Sequence, residues 1–373
     1  MRQLIKPLPP CEESDRATAS KNPPAIFILS PPRSGSTLLR VMLAGHPLLF
    51  APPELELLSF NTLEERKAAH FSGDNTPGFL EGTIRAIMEI KGCDVEQAQR
   101  IMEDCENQKL TTQLFYRLIQ EWIGKKILVD KSIYYEVDLE ILKRAETYFD
   151  NPLYIHLLRH PYGMIQSFEE VRLDRTFFRE GHPFSVRELA ELVWLISHQN
   201  ILEFLKRVPA HRQYRVKFED LVNQPRLIME GICQFLGLEF HPDILQPYKD
   251  KEKKMTDGIH SVSRMIGDVK FHEHKDIDPN IADRWKQHHT DDFLGDITWQ
   301  VAETLGYERV SKLKEGPKDG GAGLTRKALT PIQSILRIKK KNAEQLLARL
   351  DQLSDEEVDS LLSNMVTEAE IKE

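Results

Sequence analysis

Short apolar runs alternate with longer amphipathic stretches along this chain. Ala25-Ile26-Phe27-Ile28-Leu29 is apolar at every position and is bounded by Pro23-Pro24 and Pro31-Pro32. A run that short and that continuous predicts a strand buried on both faces of a parallel sheet. Three further runs, Lys126–Val129, Leu153–Leu158 and Tyr214–Phe218, have the same character. Between them, Leu38–Ala44 reads as a helix stopped by Gly45-His46-Pro47. Residues 63–125 read as several helices, 188–207 as one amphipathic helix, and Ile228–Leu236 as one ending at Gly237. Strands alternating with helices predict an α/β fold, with a central parallel sheet covered on both faces. The functional loops then sit at the carboxyl ends of the strands.

Residues 1–24 are polar and Pro-rich and read as a flexible leader, with the main domain at 25–310. A Lys- and Gly-rich linker is expected at 311–325 and a helical tail at 326–373. In the tail, Ser354…Glu357 has the spacing of a capping box ahead of Val358, Leu361, Leu362 and Met365. The tail reads either as a docking helix pair or as an appendage to its own domain.

Composition narrows the function. Of 373 residues, 40% are hydrophobic and 29% charged, which places the chain among globular proteins. A net charge of -8 argues against a general nucleic-acid binder. No apolar run is long enough to span a bilayer, and residues 1–24 have no signal-peptide core. The four cysteines, Cys11, Cys93, Cys105 and Cys233, form no CxxC pair, so no metal site is expected and free thiols in a cytoplasmic protein are. His272, His274, His288 and His289 are read as solvated surface.

The strongest chemical signal is Pro31-Pro32-Arg33-Ser34-Gly35-Ser36-Thr37, between the first strand and the first helix. There, backbone N–H groups and the positive helix end converge on one point. Gly35 permits close approach, Ser36 and Thr37 add hydroxyls, and Arg33 adds charge; the loop suits a tetrahedral oxyanion. It is not a Walker A loop, because no Lys precedes Ser36-Thr37, and the absence of GxGxxG argues against a nicotinamide cofactor. Arg159 ends a strand run, and Ser167 follows about two helical turns later, a pair suited to a phosphate dianion.

Pro32–Leu38 resembles the 5′-phosphosulfate loop of the sulfotransferases that use PAPS (3′-phosphoadenosine-5′-phosphosulfate). Leu158-Arg159-His160-Pro161 with Ser167 resembles that family's 3′-phosphate site. Phe218-Glu219-Asp220-Leu221-Val222 with Phe235-Leu236-Gly237-Leu238, and Arg284-Trp285-Lys286, resemble two further elements, in order over roughly residues 25–307. The resemblance implies a P-loop-like three-layer fold and sulfuryl transfer from PAPS to a hydroxyl acceptor, releasing PAP without a metal. It also implies that Lys131 reaches the bridging oxygen, that residues 263–286 cover the nucleotide, and that Lys275 is a further phosphate contact.

The base that takes the acceptor proton is expected to be Glu54 or His260. Phe50-Ala51-Pro52-Pro53-Glu54-Leu55-Glu56 reads as an extended path that points Glu54 and Glu56 to one side. His46 reads as structural. Leu43–Pro47, Phe50–Leu58 and Ser261–Met265 resemble the sulfotransferase domains of cyanobacterial polyketide and olefin synthases. That resemblance implies an acceptor held on an acyl carrier protein; a hydroxyl-bearing small molecule is the other candidate. A P-loop-like kinase and a non-catalytic nucleotide-binding or docking module are the competing readings.

Overall fold

The computed structural model describes residues 20–71, 78–179, 182–259, 268–287 and 292–309. Most of the leader, the linker and the helical tail lie outside these, as do Cys11, His260, Ser263, His288 and His289.

Five parallel strands form one sheet: β1 (Ile26–Leu29), β2 (Leu49–Phe50), β3 (Ile127–Lys131), β4 (Leu153–Leu158) and β5 (Gln213–Lys217). Their spatial order is β2-β3-β1-β4-β5. The four strands expected from apolar runs are present, within a few residues. β2 was not expected, because two residues carry no periodicity.

The helices are α1 (Ser36–Leu43), α2 (Leu63–Phe71), α3 (Gly78–Lys91), α4 (Val95–Asn107), α5 (Thr112–Ile123) and α6 (Leu139–Tyr148). They continue with α7 (Pro161–Glu170), α8 (Asp174–Phe177), α9 (Val186–Leu205), α10 (Phe218–Asn223), α11 (Pro225–Leu236) and α12 (Asp296–Thr304). Their ends follow local chemistry. Ser185 and Glu188 close a capping box on α9, Pro161 and Pro225 open α7 and α11, and Gly237 in the left-handed region ends α11. No helix among the described residues is long and apolar enough to cross a membrane.

β1 shows why an unbroken apolar run is needed. Phe27 and Leu29 pack into one core with Tyr154, Tyr116 and Phe149, while Ile26 and Ile28 pack into the other with Leu39, Val129 and Val216. Both faces of the central strand are therefore dry. The register then aligns the strand ends: Ile28 lies opposite Lys131, Leu29 opposite His156, and Leu158 opposite Lys217. The chain leaves β1 toward β2 on one side and β4 toward β5 on the other. The order of strands thus reverses between β1 and β4, where parallel α/β sheets open a ligand crevice at their carboxyl ends.

Candidate active site

The loop after β1 opens onto that crevice. Its start is fixed from below: Ser30 N–H donates to Glu136 Oε1 at 2.9 Å, and burial pushes the Glu136 carboxyl up to about 8. The backbone then takes two left-handed turns, at Arg33 (φ 64°) and Gly35 (φ 88°). Gly35 is required for a second reason. A Cβ there would lie 2.2 Å from Cδ2 of Phe218, so the loop rests on that ring. Gly35 also begins α1, and no side chain caps the helix. The first N–H groups of α1 and the buried Ser34, Ser36 and Thr37 therefore form one cradle. Ser34 Oγ is buried with no hydrogen-bond partner in the protein.

A second cluster stands beside the cradle. Arg159 follows β4, and its Nη1 donates to the carbonyl of Arg33 at 2.6 Å. Its guanidinium lies 4.5 Å from the centre of the Phe218 ring, the same ring that abuts Gly35. Arg33 turns its side chain toward this cluster, and its Nε donates to Ser167 Oγ at 3.2 Å. The sequence placed Arg33 with the first loop; in the structure its backbone belongs to that loop and its charge to the second cluster. Burial lowers Arg159 to about 10, offset in part by Glu219. Glu219 accepts from His160 N–H and from Tyr307 Oη, both at 2.9 Å. His160 stacks on Trp285 at 4.1 Å. Trp194 Nε1 donates to the carbonyl of Arg159 at 3.0 Å. The strand-end turn that carries Arg159 is held from three sides.

The remaining wall of the cleft includes Tyr248, Asp268, Lys270, Phe271, His274 and Arg284. Lys275 is exposed and does not line the cleft; Lys270 and Arg284 do. His274, read as surface, also borders it.

On the other side of β1, Lys131 ends β3 and pairs with Glu54 Oε1. The lysine side chain is 2% exposed and the glutamate 14%. Burial pushes Glu54 up, but the charge and hydrogen bond of Lys131 outweigh it and hold the carboxyl below the usual range. Arg40 of α1 lies near, bonded to the carbonyls of Ala51 (3.0 Å) and Lys254 (2.9 Å) and lowered to about 10 by its burial. α3 presses on the same segment, since a Cβ on Gly82 would lie 2.4 Å from the Glu54 carbonyl oxygen.

Glu54 and Glu56 do not share a side chain environment as the extended reading required. Glu56 has φ 52°, which breaks the extended path. Its carboxyl is buried on Ser59 Oγ at 3.1 Å and is raised well above the ordinary range by that burial. His46 is structural: Nε2 bonds the Glu239 carbonyl at 2.9 Å, and Nδ1 accepts from Leu48 N–H at 3.2 Å. His260 lies outside the described residues. Sequence reasoning missed Glu136, Asp268 and the Asp130 network. Burial raises Asp130 to about 6, and it accepts from Tyr116 and Tyr135. No local motif marks these residues.

The set suits a ligand that carries two phosphate-like anionic groups. One subsite is a cradle of N–H and hydroxyl donors with an orphaned hydroxyl; the other is two arginines and a serine. Among the described residues, no group of three His, Cys, Asp or Glu is arranged to hold a metal ion. Cys93, Cys105 and Cys233 are free thiols.

The sulfotransferase domain of the curacin biosynthetic pathway is 42% identical, covering 78% of this chain and 99% of that domain at a TM-score of 0.72. The sulfotransferase domain of the Synechococcus PCC 7002 olefin synthase is 37% identical, covering 80% and 100% at a TM-score of 0.71. Among curated relatives, the nodulation protein NoeE of Sinorhizobium fredii is 24% identical over 303 residues, 76% of this chain and 66% of that protein. An uncharacterized protein of Aquifex aeolicus is 23% identical over 257 residues, 67% of this chain and 30% of that protein. The chain thus spans less than two thirds of either curated relative. Residues 24–242 match the model of the sulfotransferase family, and with its P-loop-like fold this chain belongs to that family.

Proposed function

We propose that this chain transfers the sulfuryl group of PAPS to a hydroxyl, namely the β-hydroxyl of an acyl chain carried on an acyl carrier protein. The observation that carries the donor assignment is the meeting of Arg33, Arg159 and Ser167 beside the uncapped start of α1. A kinase loop needs one phosphate cradle with a lysine; here the cradle lacks the lysine and a second anion cluster adjoins it. The acceptor assignment rests on likeness to the two synthase domains.

PAPS, when bound, would supply the sulfuryl group, and PAP would be the leaving group through its 5′-phosphate oxygen. Arg33, Arg159 and Ser167 bind the 3′-phosphate, and Lys270 and Arg284 close the wall around it. The N–H groups and hydroxyls of Ser34–Thr37 hold the 5′ end. Lys131 Nζ neutralises the negative charge that develops as transfer proceeds. Glu54 is ionised at neutral pH because Lys131 keeps it so, and its carboxylate accepts the acceptor's proton. Glu136, beneath Ser30, sets the height of the loop.

The test is incubation of the full chain with PAPS and a β-hydroxyacyl carrier protein, read by intact-protein mass spectrometry. Addition of one sulfuryl group to the carrier, lost in Glu54→Gln, is expected. Sulfation of free alcohols with none on the carrier would reassign the acceptor, and transfer to neither would refute the activity.

A further inference from the structure

One carboxylate, Asp268, lines the cleft that gathers the cations, and a second, Glu170, pairs with two of its lining cations. Glu170 holds both Lys270 and Arg284, the latter at 2.7 Å. Asp268 Oδ1 holds Arg33 Nη1 at 2.7 Å, while Arg33 Nε rests on Ser167. Arg159, Arg33, Ser167 and Asp268 all line the same cleft.

We infer that Asp268 is an internal competitor for Arg33, a carboxylate on the guanidinium edge that the nucleotide's 3′-phosphate must take. On this view it limits how tightly PAP is held and hastens its departure. The inference rests on the nucleotide reading above.

Three observations support it. A carboxylate and a phosphate use the same planar N–H fork of arginine, so the two compete for one partner. The pair is reachable by water, with side chains 12% and 25% exposed, so its exchange is cheap compared with breaking a buried pair. Asp268 also has a separate structural role: Oδ1 accepts from Lys270 N–H at 3.0 Å and caps the short helical turn Val269–Glu273. That cap does not need the negative charge. Even without displacement, a carboxylate at this distance from Arg33 opposes an incoming dianion.

The opposite possibility is that Asp268 orients Arg33 for the phosphate, and it predicts the opposite sign. The variants are Asp268→Asn and Asp268→Ser in the full chain. Both residues are good caps and neither carries charge. Serine is also too short to re-form the bond to Arg33. PAP and AMP, which lacks the 3′-phosphate, are titrated calorimetrically, and PAP dissociation is followed by stopped flow. Both variants are expected to bind PAP about tenfold more tightly, mainly through slower dissociation, with AMP unchanged. Unchanged or weaker PAP binding in both variants overturns the inference. Failure of the unmodified chain to bind PAP overturns the nucleotide reading itself, and this inference with it.

Discussion

Gly35→Ala tests how closely the loop, Phe218 and Arg159 depend on one another. An alanine at φ 88° incurs the left-handed penalty, about 1–2 kcal/mol. Its Cβ would also lie 2.2 Å from Phe218 Cδ2, so the ring or the loop must move. Overpacking of this kind adds about 1–3 kcal/mol. The ring cannot move alone, because the Arg159 guanidinium lies 4.5 Å from its centre and Arg159 also bonds the Arg33 carbonyl. A shift therefore disturbs both anion subsites at once. Gly237→Ala is the control: its φ is 67°, and a Cβ there meets nothing within 4 Å. It bears the backbone penalty without the clash and lies at the end of α11. Both variants are expected to melt a few degrees lower. Only Gly35→Ala is expected to lose PAP affinity, by at least about 30-fold, or about 2 kcal/mol. Wild-type PAP affinity in Gly35→Ala would refute the reasoning that one ring couples the two subsites.

Glu54→Gln is expected to lower transfer by about 10²–10⁴-fold while leaving PAP binding intact, as measured by initial rates and calorimetry. Because Lys131 holds Glu54 below the usual carboxylate range, activity falls only as pH drops through that depressed value; Lys131→Met leaves burial opposed only by a backbone hydrogen bond and Arg40, and moves the acid limb of the pH–rate profile upward. Glu136 behaves in the opposite sense. Its carboxyl is raised from 4.5 to about 8, so its contribution to stability is full below 4.5 and is lost as pH rises through 8. Glu136→Gln keeps an acceptor for Ser30 N–H, and denaturant melts should show its advantage over the unmodified chain growing from pH 5 to pH 8.5, with a ceiling of about 5 kcal/mol. Trp194→Phe removes the donor to the buried Arg159 carbonyl and is expected to cost about 1–3 kcal/mol in the same assay.

The parts of this site that were legible in the sequence are those built locally. β1, its loop and α1 are contiguous, and their chemistry follows from residue types at fixed spacing. Arg159 and Ser167 were legible because a strand end and the next helix fix their separation. What sequence could not show depends on backbone turns and distant contacts. Glu56 leaves the side of Glu54 because of one positive φ, which a non-glycine residue does not advertise. Lys270 and Arg284, rather than Lys275, reach the cleft because residues 268–287 follow short turns without helical or strand periodicity. Glu136 acquires its role from a partner 106 residues away. Arg33 gave its charge away in sequence but not its direction, which Ser167 and Asp268 determine.

The most direct measurement of the central claim is calorimetric titration of the full chain with PAP, AMP and ATP, repeated on Arg159→Ala and Arg33→Ala. A site with two anion subsites predicts that PAP binds at least about 100-fold more tightly than AMP and that both variants lose that advantage. Equal binding of AMP and PAP, preference for ATP, or PAP affinity untouched in Arg159→Ala would contradict it.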